Sequence, residues 1–194
     1  MLNLYSLFKD DRSIEDISKL KNDPDFIQSL IESIKKMNKN DKNNLLNLKD
    51  AHQWNILHWV IHFSDRQVYD VLASQVDLKK LDKAAEGGLT PLLLACQCAE
   101  GQETAENIAL SLIEKGFSTD VLDEAANSPL HWASISGFKR VVAKLIESGC
   151  ELNKPNKDNL TPMSLAARNG HIEITKMINN AIKNRPAPSV RRAT

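Results

Sequence analysis

Charge of one sign is what this sequence most lacks: 25 lysines and arginines stand against 25 aspartates and glutamates in 194 residues, a formal net charge of +0 at pH 7. Such a balance sets up no long-range field to attract a polyanion or an anionic bilayer, so neither nucleic acid nor a membrane is expected as a partner. Cysteine is also scarce, with Cys96, Cys98 and Cys150 forming an odd set. The opening "MLNLYSLFKDDRS" has neither the basic end nor the long apolar run of a secretory signal. A reducing, cytoplasmic compartment is therefore expected. The longest apolar stretch, "WNILHWVIHF", is broken by histidines and falls short of the roughly 18 to 20 residues that a membrane helix needs. Reactive constellations are missing too. The "EGG" at 86–88 precedes a turn rather than following a buried strand, which argues against a phosphate loop. No carboxylate pair is placed to act as acid and base, and no Ser, His and Asp set can be assembled by motif.

What the chain does contain is a repeated text. "NILHWVIHF", "TPLLLACQC", "SPLHWASIS" and "TPMSLAARN" begin at Asn55, Thr90, Ser128 and Thr161, with spacings of 35, 38 and 33 residues. Each is followed by a second run with apolar residues three or four apart: "VYDVLAS", "IALSLIEKG", "VVAKLIESG" and "IEITKMINN". A Thr or Ser before Pro starts a helix well, because the hydroxyl accepts from an orphan N–H and Pro at the first helical position gives up no needed donor. Small residues follow (Ala95, Ala133, Ala166, Ala167), which admit a close neighbour, and then a helix-ending glycine (Gly137, Gly170). Each unit is a helical hairpin too small to bury its own apolar face, so stacking of neighbours must supply the core.

These residues resemble the ankyrin repeat, with its period of 33 and its Thr-Pro-Leu-His text. The match is fullest in "SGCELNKPNKDNLTPMSLAARNGHIEITKMI" and nearly as good in "VLDEAANSPLHWASISGFKRVVAKLIESG". The first unit departs from it by carrying Asn55-Ile56 in place of Thr-Pro, and the second carries about five extra residues near 97–104. The resemblance implies an all-α solenoid over residues 45–183, made of four units joined by short β-turn or hairpin connections. It also implies that His58 and His131 brace adjacent turns. His58 and His62 are spaced i, i+4, which would suit zinc, with Cys96 and Cys98 on the next unit. No glutamate follows as in a zinc protease, and Cys96 falls on the family's small buried position. The expectation is a protein that is not an enzyme, with no catalytic residue, cofactor or metal.

Residues 1–44 do not fit the repeat. "SIEDISKLK" reads as a short helix, and "NDPDFIQSLIESIKKM" as a capped one with Phe26, Ile27, Leu30, Ile31 and Ile34 on one face. Together they are expected to cap the first end of the stack. "NKNDKNN" at 38–44 reads as a loop, and 184–194, "NRPAPSVRRAT", as a disordered tail. The acidic insertion in unit 2 is expected in the loop between its two helices.

In the ankyrin family the turn tips and the exposed side of each first helix form a concave face that binds proteins. Carried onto this sequence, that face comprises His52, Trp54, His62 and Phe63 from unit 1, and Glu86, Leu89 and Gln97 from unit 2. Unit 3 gives Glu124, Asn127 and Ile135, and unit 4 gives Lys157, Leu160 and Arg168. The apolar members Trp54, Phe63, Leu89, Ile135 and Leu160 are the expected anchors, the alternative for Trp54 and Phe63 being that the N-terminal segment or loop 38–44 folds over them, whereas Trp59, Leu94, Trp132 and Leu165 recur at an inward place. The function expected is that of a monomeric protein-interaction module, an adaptor or inhibitor. Two alternatives stand beside it: an accessory subunit of an enzyme complex docking through its N-terminal segment, and a bacterial effector acting on proteins of a host cytosol.

Overall fold

The computed structural model describes residues 23–97 and 102–185. The expected helix at 13–21, Cys98 and nearly all of the expected tail lie outside the described residues. Those described form ten α-helices and two 3₁₀ turns, with no strand among them. Two helices come first: α1 (Pro24–Lys35) and α2 (Lys39–Leu45). Four hairpins follow: α3 (Ile56–Phe63) with α4 (Arg66–Gln75), α5 (Pro91–Gln97) with α6 (Gln102–Glu114), α7 (Pro129–Ser136) with α8 (Lys139–Glu147), and α9 (Pro162–Arg168) with α10 (Ile172–Asn184).

Every first helix begins where the hydroxyl or amide predicts. Asn55 accepts from Leu57 N at 3.0 Å, Ser128 from His131 N at 3.3 Å and Thr161 from Ser164 N at 3.2 Å. Thr90 does the same for Leu93 N. Such caps are each worth about 1 kcal/mol. The first helices stack on one another as an inner layer (α3, α5, α7, α9), and α4, α6, α8 and α10 stack as an outer one. Between the layers lies one continuous core that includes Leu57, Leu72, Leu92, Ile108, Leu130, Val142, Ala166 and Ile178.

Units are also joined at the loops between their helices. His171, just before α10, donates from Nε2 to the Ile135 carbonyl at 3.0 Å, which lays its ring over Gly137. Gly137 ends α7 in the left-handed region (φ 76°). A Cβ there would meet the His171 ring at 2.6 Å. Gly137→Ala combines a left-handed penalty of about 1–2 kcal/mol with displacement of that ring. It is expected to cost at least 2 kcal/mol on this scale, read as a lower midpoint in urea, whereas Gly149→Ala meets no atom within 4 Å and costs only the backbone term.

Three expectations about local structure are corrected. Residues 39–45 are helical, because Asn38 and Asp41 form a reciprocal capping box: Asn38 Oδ1 accepts from Asp41 N, and Asp41 Oδ2 from Asn38 N. The part of the insertion that is described, from residue 102 on, opens α6 instead of lying in a loop. Ala105, Ile108, Ala109 and Leu112 give that segment a buried face at helical spacing. Glu106 in turn accepts from Arg140 N at 3.0 Å and so caps the outer helix of unit 3. Lastly, Ala167 is exposed rather than covered by a neighbour.

At the other end, α1 packs on α4, in the outer layer, and buries Phe26, Leu30, Ile31 and Ile34. It sits where the outer helix of a preceding unit would sit. Phe26 meets Phe63 of α3 edge to face, with ring centroids 5.9 Å apart.

Candidate functional site

Four turn tips project from the stack, three folded by their own side chains and that of unit 2 closed by a backbone bond from Ala85 N to Leu89 O at 2.9 Å. Asp50 Oδ1 accepts from the backbone N–H groups of His52 (2.9 Å) and Trp54 (2.8 Å), and Asp123 Oδ1 from that of Asn127 (2.7 Å). Asn156 Oδ1 holds Asp158 N and Leu160 N in the same manner. The other carboxylate oxygen of each aspartate takes an indole N–H nine residues on: Trp59 to Asp50 at 3.0 Å and Trp132 to Asp123 at 2.9 Å. Backbone bonds then tie tip to tip, from Glu86 N to His52 O, Glu124 N to Gly87 O and Lys157 N to Ala125 O, at 2.9–3.2 Å.

The buried histidines extend these ties from the helices. His58 Nε2 lies 3.0 Å from the Leu89 carbonyl and His131 Nε2 3.3 Å from that of Leu160, so in each ring Nε2 is the donor. Nδ1 is then the acceptor. It faces the Asn55 backbone N–H in His58, and both the backbone N–H and the hydroxyl of Ser128 in His131. Burial holds His58 down to about 4, and it lowers His131 in the same direction. Both rings are therefore neutral braces at pH 7. The second and fourth units have Leu93 and Ser164 at this place, and Ser164 Oγ turns back onto the Thr161 carbonyl.

Against this scaffold the thirteen candidate residues separate into three groups. His52, Glu86, Gln97, Glu124, Lys157 and Arg168 are exposed, and His62, Leu89, Ile135 and Leu160 are half-buried. Trp54, Phe63 and Asn127 are buried, at 8%, 5% and 7% exposure. The expectation that Trp54 and Phe63 stand free as anchors is thus corrected. Trp54 lies on Trp59 (centroids 4.9 Å apart) and against His62 (5.6 Å), and Phe63 lies under α1. Asn127 is spent on the scaffold, its Oδ1 accepting from Asn156 Nδ2 at 2.8 Å. Trp132 departs from the inward place assigned to it and is half-buried. The one exposed large apolar side chain among the described residues is Ile172, at 68%, which belongs to the loop edge and not to the concave face. That face is a polar one: His52 and Glu86 approach to 3.4 Å across two tips, and the apolar groups between them are only partly accessible.

The described residues bring together no metal-binding set. Among the described residues no three His, Cys, Asp or Glu side chains are grouped closely enough to hold a metal ion. Cys96 is buried, and Cys150 is buried with its thiol pushed up to about 12, so Cys150 is not poised as a thiolate. No helix of the described residues is long and apolar enough to cross a membrane.

Comparison with known proteins agrees with this geometry. Residues 98–186 match the family model described as ankyrin repeats (3 copies). The chain is 33% identical to human palmitoyltransferase ZDHHC13 over 99 residues, 50% of this chain and 15% of the relative. It is 34% identical to human ankyrin repeat domain-containing protein 63 over 90 residues, 44% of this chain and 22% of the relative. With human oxysterol-binding protein-related protein 1 the identity is 32% over 114 residues, 57% of this chain and 12% of the relative. The matched part is a minor fraction of each relative's length. In text, period and stacking alike, residues 98–186 are ankyrin repeats.

Proposed function

We propose that this chain is a non-enzymatic binding module which holds a protein ligand on the concave face of its ankyrin stack, as a cytosolic adaptor or inhibitor. One observation carries the reading. Three of the tips are locked by their own Asp50, Asp123 or Asn156, the tip of unit 2 is closed by the backbone bond from Ala85 N to Leu89 O, each is tied to the next, and exposed side chains are left along the face: His52, Glu86, Gln97, Glu124, Lys157 and Arg168. A pre-formed row of this kind loses little conformational freedom on binding, which is what favours affinity from polar contacts. His62, Leu89, Ile135 and Leu160 complete the face as shallow apolar contacts rather than deep anchors.

The same proposal includes the cap expected over residues 1–44, of which residues 23–44 are described. In support, α1 covers Phe63 and packs on α4, a role that an independent docking element would not need.

The test is site-specific photocrosslinking. A photoreactive residue placed at Gln97 or Ile135 should capture the same protein, whereas one at the outer-layer positions Asp70 or Glu147 should not. Gln97→Arg together with Glu124→Arg should abolish the product without changing the melting curve. Capture from the outer layer alone would overturn the concave assignment.

A further inference from the structure

A second surface lies away from the concave face, at the edge of the stack where the chain leaves the outer layer of helices. There Asn43, Leu46 and Asn47, from α2 and the turn after it, face Lys80 and Lys83 of the following unit across a groove of about 410 Å³. Lys39 stands on the same face of α2 as Asn43, at i and i+4.

The local carboxylates are all spent on the fold. Residues 39–50 and 77–83 hold six lysines and four aspartates. Asp41 caps α2, Asp50 holds its tip and Trp59, and Asp77 accepts from Lys79 N. Asp82 takes Lys79 Nζ at 2.7 Å and Ser118 N at 3.4 Å. Lys79 is thereby occupied, and it also lies over the Phe117 ring. Lys39, Lys42, Lys80 and Lys83 make no ion pair among the described residues. Lys80 and Lys83 are exposed, while Leu46 between the two walls is half-buried and supplies an apolar floor.

We infer that this groove is a second docking site, for an acidic segment of a protein partner whose carboxylates lie on Lys80 and Lys83 and whose apolar side chain rests on Leu46. The equivalent groove between units 3 and 4 shows that the charge is a local choice and not a feature of the repeat. Its lining has Asp120 and Glu151 alongside Lys154, and Asp120 accepts from Glu151 N. An acidic segment is therefore drawn to one end of this edge and repelled near the other. A bare anion would satisfy the lysines but leave Leu46 unused, and this makes a peptide the better complement.

The experiment titrates a short peptide of alternating Glu and Leu, labelled for fluorescence anisotropy, into the full chain, with ¹⁵N amide shifts followed in parallel. The expected result is binding that weakens with salt and amide shifts that cluster at Asn43, Asn47, Lys80 and Lys83. Lys80→Gln with Lys83→Gln should weaken it about tenfold. Lys115→Gln with Lys183→Gln, an equal loss of exposed charge elsewhere, should leave it unchanged. A peptide with Gly in place of Leu should bind more weakly than the parent. Equal weakening by both lysine pairs, shifts at Glu86 and Gln97 instead, or no binding to the wild type would each overturn the proposal. So would inorganic phosphate binding with the same dependence on Lys80 and Lys83 while the Leu-to-Gly change in the peptide made no difference, since that outcome makes the groove a small-anion site.

Discussion

Phe63→Ala is expected to lower the unfolding free energy by about 3–5 kcal/mol, the range for emptying a buried aromatic site. Phe63 keeps 5% exposure and sits in an aromatic cluster, with Phe26 at 5.9 Å and Trp59 at 6.1 Å between ring centroids. Its partner Phe26 comes from α1, so the mutation removes the contact that fixes the cap as well as its own burial. Phe26→Ala should act in the same direction, and the double variant should lose less than the sum of the singles, because the two remove one shared contact. In a repeat array each unit leans only on its neighbours. The loss is therefore expected first in units 1 and 2, as a separate early phase in urea detected through Trp54 and Trp59, with Trp132 reporting later. Gln97→Ala, at an exposed concave position, should leave both phases in place. An unchanged melting curve for Phe63→Ala would mean that α1 is not seated on the stack in solution.

This contrast marks where reading the sequence succeeds and where it stops. The helix starts at Thr90, Ser128 and Thr161 were legible because a cap is a local transaction between a side chain and an amide two or three residues away. The bracing role of His58 and His131 followed from their place in the repeated text, and the bonds to Leu89 and Leu160 match it. Trp54 and Phe63 were misplaced since their burial depends on what surrounds them in space, in the case of Phe63 a ring 37 positions upstream on an element outside the repeat. Other signals were present but overlooked. The Asn38-x-x-Asp41 box announced α2, and the spacing of Ala105, Ile108, Ala109 and Leu112 announced that the insertion joins α6. The pairs Asp50 with Trp59 and Asp123 with Trp132, each nine residues apart, spelled out the indole bonds that fix two of the tips.

Acid should loosen the stack at a defined joint. His58 is buried and neutral, holding the Leu89 carbonyl through Nε2, and burial keeps it uncharged in the folded state until the pH reaches about 4. In the unfolded chain its ordinary value is 6.5. Between those two values the unfolded state binds a proton that the folded state does not, so the folded state loses ground as the pH falls from about 6.5 towards 4. Above 6.5 both states are neutral at this ring and no change is expected. The loss accumulated at pH 4 is on the order of 3 kcal/mol, at about 1.4 kcal/mol for each tenfold change in proton affinity. His131, shifted the same way by burial, adds to the loss at the joint between units 3 and 4. The contribution of His58 is isolated by comparing wild type with His58→Gln, whose amide cannot titrate in this range. The variant should start less stable at pH 7, because it lacks the ring's packing and bonds. Its urea midpoint should then fall less steeply than that of wild type from pH 6.5 to 4, so the gap between the two narrows on acidification. A gap that stayed constant across that window would show that His58 titrates alike in the folded and unfolded chains, and that the ring is open to water at the joint it is read as bracing.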